Sequence, residues 1–346
     1  MYNHQLKTIY FRNIISPKRI IKKVPISKKN SKNVLECRKR IQNILIGQDK
    51  RLLMIIGPCS VHEKKSVYEY AQKLSKLHFY YKDYLEIVMR TYFEKPRTIF
   101  GWKGFIVDPD LNNSYQINKG LKISRKLLGK INNLGLPTAT EFLDFNIIPY
   151  IVDFISWGAI GARTTENPIH RYVASGLPCP IGFKNNTNGD INVAINAVRV
   201  SRKSHIILMP NLNGKITIYK TKGNPYTHII MRGGKKPNYS LKNIKNTYFE
   251  LNKFNISEKI IIDLSHGNSQ KNPEQQLKTT KIITKQLEKK IINISGIMVE
   301  SFLIQGKQEI DSCPIEYGKS ITDPCIGWES TKEIIERFAK SIKKII

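Results

Sequence analysis

From Arg51 onward, short apolar runs alternate with longer stretches of helical periodicity, and eight such runs can be read: "LLMIIGPCS" (52–60), "LEIVMR" (85–90), "PTATEF" (137–142), "WGAIGAR" (157–163), "PIGFK" (180–184), "HIIMRGG" (228–234), "KIIIDLSH" (259–266) and "GIMVES" (296–301). Most of these runs are too continuously apolar to have one wet face, which is the pattern of strands buried on both sides in a parallel sheet. Helical patterns at 66–78 and 272–291 separate them, and a last one at 330–344 follows the eighth. Strand–helix alternation calls for parallel strands with crossover helices. Eight units in about 300 residues predict a (β/α)8 TIM barrel. The 346 residues are also enough for two ordinary domains, but the count and order of these units favour one barrel over 51–346. Residues 1–50 precede it as a basic N-terminal extension, with a helical pattern at 34–47 that stops at Gly47. The segment 205–221 breaks the alternation and reads as an inserted β-hairpin turning near Asn213-Gly214.

Such barrels build their sites at the C-terminal ends of the strands. The eight runs end at or near Cys59, Arg90, Glu141, Arg163, Lys184, Arg232, His266 and Glu300. Polarity at one strand end is ordinary; a charged or reactive group at each of them predicts a shared mouth. Arg90, Arg163, Lys184 and Arg232, joined by Lys95 and Arg97 from the loop after the second run, form a ring of cations that repel one another unless anions fill the space. Cys59, His266 and Glu300 end the first, seventh and eighth runs, neighbours in a closed barrel, and Asp323 follows in "YGKSITDPCIGW". A thiol, an imidazole and two carboxylates suit Mn²⁺, Fe²⁺, Co²⁺ or Zn²⁺ better than Mg²⁺.

The composition permits other partners. There are 57 Lys+Arg against 27 Asp+Glu, a net charge of +30, which invites a nucleic-acid reading. Lys, Ile and Asn are frequent throughout, however, as A·T-rich coding produces, so the total charge carries little by itself. The local cluster "MRTYFEKPRTIFGWKG" is different: Arg90, Lys95, Arg97 and Lys103 interleave with Tyr92, Phe93, Phe100 and Trp102, and Glu94 is its single acid. At a concave mouth such a cluster fits small anions rather than a nucleic-acid strand. Cys37, Cys59, Cys179, Cys313 and Cys325 form no C-x-x-C, so neither a disulfide framework nor a zinc ribbon is indicated. No apolar run reaches membrane-span length and the N-terminus lacks an apolar signal core, so a cytoplasmic protein is expected.

Read in order, "GPCSVHE", "MRTYFEKPRTIFGWKG", "WGAIGARTTE", "GFKNNTNG", "IIMRGGKKPNY", "DLSHGNSQK" and "YGKSITDPCIGWE" closely resemble the enteric bacterial class of 3-deoxy-D-arabino-heptulosonate-7-phosphate (DAHP) synthases, over nearly the whole chain. The resemblance implies a metal-dependent transferase that condenses phosphoenolpyruvate with erythrose 4-phosphate, the shikimate-pathway step that opens the route to chorismate and the aromatic amino acids. It implies Cys59, His266, Glu300 and Asp323 as metal ligands. It implies Arg90, Lys95, Arg163, Lys184 and Arg232 as the phosphoenolpyruvate site, with Glu141 in the substrate-binding set. Lys95, Pro96, Arg97 and Thr98 would receive erythrose 4-phosphate, Arg97 at its phosphate. Lys95, Cys59 and His266 are the residues expected to carry the chemistry.

A sister family that uses a five-carbon sugar phosphate has Lys-Ala-Asn-Arg where this chain has Lys95-Pro96-Arg97-Thr98, which favours the four-carbon sugar. The segment 210–239 most resembles the tryptophan-sensitive version, so tryptophan is the favoured aromatic effector and a homodimer or homotetramer the expected assembly. Ile148, Pro149 and Pro178 depart from the family at positions that border the effector pocket in relatives, which leaves the effector's identity open.

Overall fold

A computed structural model describes residues 7–8, 10, 12–256, 259–310 and 314–346. Cys313 and residues 1–6, 9 and 11 of the N-terminal extension lie outside the described residues. Ten strands are described: β1 (Leu52–Gly57), β2 (Leu85–Arg90), β3 (Thr138–Glu141), β4 (Ile155–Ile160), β5 (Ile181–Lys184), β6 (Ile206–Pro210), β7 (Ile216–Lys220), β8 (Thr227–Met231), β9 (Ile260–Asp263) and β10 (Gly296–Glu300). Eight close into a parallel barrel in the order β1-β10-β9-β8-β5-β4-β3-β2, and β6 and β7 form a separate antiparallel hairpin. The expected (β/α)8 barrel with an inserted hairpin is the fold.

Strand side chains alternate between two buried layers, because successive Cβ atoms point to opposite faces. Leu52, Met54 and Ile56 of β1 pack outward with the helices. Leu53 and Ile55 pack inward with Val88, Ala139, Trp157, Ile230, Ile261 and Met298. Both faces are therefore dry, which is why the runs are continuously apolar.

The helix Lys28–Ile46 starts on the Ser27 side chain, which accepts from Asn30 N, and ends where Gly47 takes a left-handed conformation at φ 83°. Its Cys37, Ile41, Ile44 and Leu45 join the inner layer, so the extension closes the barrel at the N-terminal ends of the strands. Beneath that plug, Glu86 of β2 is buried and accepts hydrogen bonds from Arg40 and Arg51.

Two strand ends differ from the sequence expectation. β4 stops at Ile160, and Arg163 sits in a turn whose Thr164 and Thr165 amides return to Gly161 O. β9 stops at Asp263 rather than His266. The Asp263 carboxylate accepts from Ser265 N at 3.0 Å, a local bond that replaces the next rung of the ladder and starts the single turn His266–Ser269. The crossover after β3 is also reduced, to one turn at Ile148–Ile151 and a 3₁₀ turn at Val152–Phe154. The helix Pro17–Lys23 packs into the space this leaves: Arg125 donates both to Val24 O and to Asp153, and Tyr150 donates to Ile15 O. Among the described residues no helix is long and apolar enough to cross a membrane.

Candidate active site at the barrel mouth

The inward alternation delivers the site. Two residues beyond the inward Val88 is Arg90; beyond Ala139 is Glu141; beyond Ile230, Arg232; beyond Ile261, Asp263; beyond Met298, Glu300. Lys184 follows the inward position of Gly182 on β5. Register then brings neighbouring ends level, with Gly57 opposite Glu300 and Met298 opposite Asp263. At Gly57 the inward position holds no side chain for a steric reason: φ is 154°, and a Cβ there would stand 2.9 Å from Arg90 O. The gap admits the Arg90 side chain, and Cys59 takes the next inward place.

The thiol of Cys59 and the carboxylates of Glu300 and Asp323 present donor atoms that all lie within 4.8 Å of one another. That clustering of a thiol and two carboxylates makes a group that could hold one divalent cation. His266, expected as a fourth ligand, stands outside that group and borders it at Glu300, with Nε2 3.5 Å from Oε1. On the other side of its ring, Nδ1 lies 2.8 Å from both Asp263 Oδ2 and Ser265 Oγ. A proton on Nδ1 aimed at that carboxylate leaves the Nε2 lone pair toward the trio, the arrangement metal-binding histidines use. Burial and the neighbouring Glu300 push the Cys59 thiol up from its ordinary value, against the pull of Lys95. Burial opposes ionisation of Asp323 too, but His266, Lys95 and Lys271 outweigh it and bring its carboxyl down to about 2.

The cations fall into two groups. Arg90 and Lys184 are buried and already face acids: Arg90 donates to Glu300 at 3.0 Å and stacks on Tyr92, and Lys184 lies 3.5 Å from Asp263. The fold itself thus supplies part of the counter-charge that the cation ring requires. Arg232 and Arg163 are placed for something else. The Nε of Arg232 is buried and lacks a hydrogen-bond partner, and burial, joined by Arg163, depresses its guanidinium against the opposing pull of Asp263. A buried N–H without a protein acceptor, near a second guanidinium, is a donor suited to an anion.

Beside this recess, Lys95, Pro96, Arg97, Thr98, Lys103 and Arg163 line a cavity of about 390 Å³ whose far wall is Leu143 and Asp144. Lys95 bridges the two, with Nζ 3.0 Å from Cys59 Sγ and 2.6 Å from Cys59 O. Its ammonium is held above the usual range, since Cys59 and Glu300 outweigh burial. Glu141 sits at the rim under Gly161, where a Cβ would strike its Oε1 at 2.5 Å.

Sequence reasoning passed over Asp263, which touches both Lys184 and His266, and Lys271, which pairs with Asp323 at 3.1 Å. The inward alternation along β9 points to Asp263, two residues after Ile261. Lys271 carries no such signal: it swings over the mouth only because Gln270 and Lys271 both take positive φ.

The chain matches the DAHP synthetase I family over residues 23–336. It is 51% identical to the Trp-sensitive phospho-2-dehydro-3-deoxyheptonate aldolase of Escherichia coli K12 over 339 residues, 98% of this chain and 97% of that one. Identity to the Trp-sensitive enzyme of Buchnera aphidicola subsp. Baizongia pistaciae is 50% over the same coverage. The solved structure of phospho-2-dehydro-3-deoxyheptonate aldolase from Francisella tularensis SCHU S4 superposes with a TM-score of 0.95 at 43% identity, covering 98% of this chain and 99% of that one.

Proposed function

This chain belongs to the DAHP synthetase I family, and from that membership and the mouth geometry we infer that it condenses phosphoenolpyruvate with erythrose 4-phosphate and water, giving 3-deoxy-D-arabino-heptulosonate 7-phosphate and phosphate. The observation that carries the reading is the meeting, at Lys95, of a cation-binding trio with two arginine-lined recesses. Arg163, Arg232 and Lys184, with Arg90 behind them, hold the phosphate and carboxylate of phosphoenolpyruvate. Arg97 takes the sugar phosphate, and Pro96 and Thr98 shape its cavity. Fixing two mutually repelling anions in attack geometry is the main contribution of these residues. The enol carbon forms a bond to the sugar aldehyde, water adds to the adjacent carbon, and the C–O bond to phosphate breaks. Lys95, buried and charged, delivers a proton to the oxygen that was the aldehyde. A divalent ion held by Cys59, His266, Glu300 and Asp323 supplies Lewis-acid polarisation of that aldehyde. Mn²⁺, Fe²⁺, Co²⁺ and Zn²⁺ all suit the donors.

Regulation by an aromatic amino acid, tryptophan in first place, is part of the proposal. The gap left by the shortened crossover after β3 opens into a cavity of about 800 Å³ between the barrel and the hairpin. Ile21, Ile148, Pro178, Ile207, Met209 and Tyr219 give it apolar walls, and Asp153, Ser175 and Lys222 give it polar ones. That mixture suits an indole and a zwitterionic head group. Ile148, Pro149 and Pro178, the departures from the family pattern, all line it. Assembly as a homodimer or homotetramer is supported by the hairpin's outer face, where Ile206, Leu208, Ile216 and Ile218 are each at least 60% exposed. The N-terminal segment lies against the hairpin tip, Lys18 N donating to Leu212 O. Four free, buried cysteines support a reducing cytoplasm.

The test is product formation from the two substrates with wild type and Arg97→Ala. The variant should raise KM for erythrose 4-phosphate by about 10- to 150-fold, the loss of one charge-assisted contact of roughly 1.5–3 kcal/mol. KM for phosphoenolpyruvate should stay nearly constant. Equal weakening of both substrates would refute the assignment of the cavity.

A further inference from the structure

Glu300 is held through its main chain by a side chain from the helical layer. In a parallel ladder, alternate residues turn their amide and carbonyl to opposite neighbours. On β10, Met298 faces β9, where its carbonyl accepts from Leu264 N at 2.8 Å, and Ser301 faces β1, where its amide donates to Gly57 O at 2.9 Å. Glu300 therefore turns toward β9. The β9 ladder, however, ends at Met298 opposite Asp263, because the bond from Ser265 N to the Asp263 carboxylate leads the chain away. The main chain of Glu300 is left facing the gap between two splayed strands, and buried backbone groups need partners. Gln276 fills that gap. Its Oε1 accepts from Glu300 N at 3.1 Å and its Nε2 donates to Glu300 O at 3.1 Å, so one amide supplies both halves of the missing rung. The sequence fixes where this amide stands. The helix Pro273–Glu288 starts on the Asn272 side chain, which accepts from Glu274 N, with Pro at its first position. Its buried stripe then runs Gln276, Thr279, Thr280, Ile283, Thr284 and Leu287, and Gln276 at its head is 1% exposed. Burying a long amide costs rotamer freedom and hydration; here its oxygen and its nitrogen are both directed at one residue.

We propose that Gln276 is a positioning residue of the metal site, fixing the main chain of Glu300 so that its carboxylate meets Cys59 and Asp323. The proposal rests on the reading of Cys59, Glu300 and Asp323 as metal ligands. His266 and Gln276 lie on the same connection after β9, and His266 Nε2 is 3.5 Å from Glu300 Oε1. That connection thus reaches Glu300 twice, at its side chain through His266 and at its main chain through Gln276. Arg90 donates to the same carboxylate at 3.0 Å. A shift of the Glu300 main chain moves the carboxylate relative to Arg90, His266, Cys59 and Asp323 together. Outer partners that orient a ligand in this way are worth about 10–100-fold in metal affinity.

The experiment measures Zn²⁺ affinity by competition against a chromogenic chelator, and Tm of the metal-free protein, in wild type and a set of variants. Gln276→Met keeps the length of the side chain without its amide. Gln276→Asn keeps the amide but stops it short of Glu300, and stands in if the methionine variant does not fold. Either should loosen Zn²⁺ by about tenfold or more. Ile283→Val, on the same buried stripe, should lower Tm and leave Zn²⁺ affinity within about twofold of wild type. In a Glu300→Gln background, Gln276→Met should add little further loss, because the carboxylate it positions is already gone. Affinity within about twofold of wild type in both Gln276 variants overturns the proposal. Equal loosening in Ile283→Val overturns it too, since general stability would then account for the effect, and so do losses that simply add when Gln276→Met and Glu300→Gln are combined. Wild type and Cys59→Ala separate the two readings. If wild type binds no Zn²⁺, or Cys59→Ala binds it equally well, the metal site fails and the role of Gln276 with it. If wild type binds Zn²⁺ through Cys59 and the Gln276 variants match it, only the role of Gln276 falls.

Discussion

Replacing Asp263 by Asn tests how the mouth is held in order. The carboxylate is fully buried at the end of β9, accepts from Ser265 N and Ser265 Oγ, and faces both His266 Nδ1 at 2.8 Å and Lys184 Nζ at 3.5 Å. Burial alone would push its carboxyl up, but His266 and Lys184 outweigh it and hold the carboxyl far below the usual range. A depressed carboxyl contributes stability that is present above its unfolded value and lost only as pH falls through its folded one, so the contribution is complete at every pH above about 5. An Asn of the same shape can still accept from Ser265. It cannot balance Lys184, and its amide can turn a donor toward His266.

Stranding a buried cation costs about 3–5 kcal/mol, and loss of the partner that orients a metal-binding His costs about 10–100-fold in metal affinity, or roughly 1.4–2.8 kcal/mol. Thermal unfolding with chelator present reads the first quantity, and competition for Zn²⁺ or Mn²⁺ against a chromogenic chelator reads the second. Asp263→Asn should lower Tm by several degrees, by about the same amount from pH 6 to 9, and loosen the metal by at least tenfold. Metal affinity within about twofold of wild type would refute the orienting role. A Tm difference that vanished at neutral pH would refute the claim that the carboxylate is ionised there.

Cys59→Ala should abolish stoichiometric binding of Zn²⁺ by metal analysis while the barrel keeps its far-UV circular dichroism, because the thiolate supplies charge and soft character that Ala lacks. Glu86 is buried against Arg40 and Arg51, which hold its carboxyl down against the opposing effect of burial; Glu86→Gln should therefore be destabilised above about pH 4.5, with the gap to wild type closing as pH falls. Gly104→Ala places a Cβ 2.3 Å from Phe93 O at positive φ, so it should disorder the loop after β2 and raise KM for erythrose 4-phosphate far more than for phosphoenolpyruvate. Deleting residues 1–26 spares the Ser27 cap and the plug, and should leave a folded, metal-binding barrel with weaker assembly and weaker response to tryptophan in sedimentation and inhibition assays; an unaltered mass and inhibition curve would refute the regulatory role of this segment.

Much of this protein is written along the chain. Short, largely apolar runs such as LLMIIG and LEIVMR fit strands dry on both faces, and eight of them with intervening helices leave the barrel as the economical closure. Because strand periodicity is two, the residue that ends each run is already committed to a face, and for Arg90, Glu141, Lys184 and Glu300 that face is the inner one. The segments around Cys59, Lys95 and Asp323 are long and specific enough to declare the family before any coordinates.

Other features depend on tertiary structure. Asp263, not His266, ends β9, since a side-chain bond to Ser265 competes with the ladder, and that bond places the His266 ring on Glu300. Arg90 and Lys184 look from sequence like two more cations awaiting substrate; only closure of the sheet sets Glu300 and Asp263 against them. Nor does local pattern reveal that the helix Lys28–Ile46 plugs the barrel floor, or that a crossover after β3 cut to one α-turn and a 3₁₀ turn borders a cavity under the hairpin. Periodicity and propensity act over a few residues and are legible in order along the chain, whereas charge compensation and cavity shape arise between segments far apart in sequence, where the neighbours are chosen by the fold.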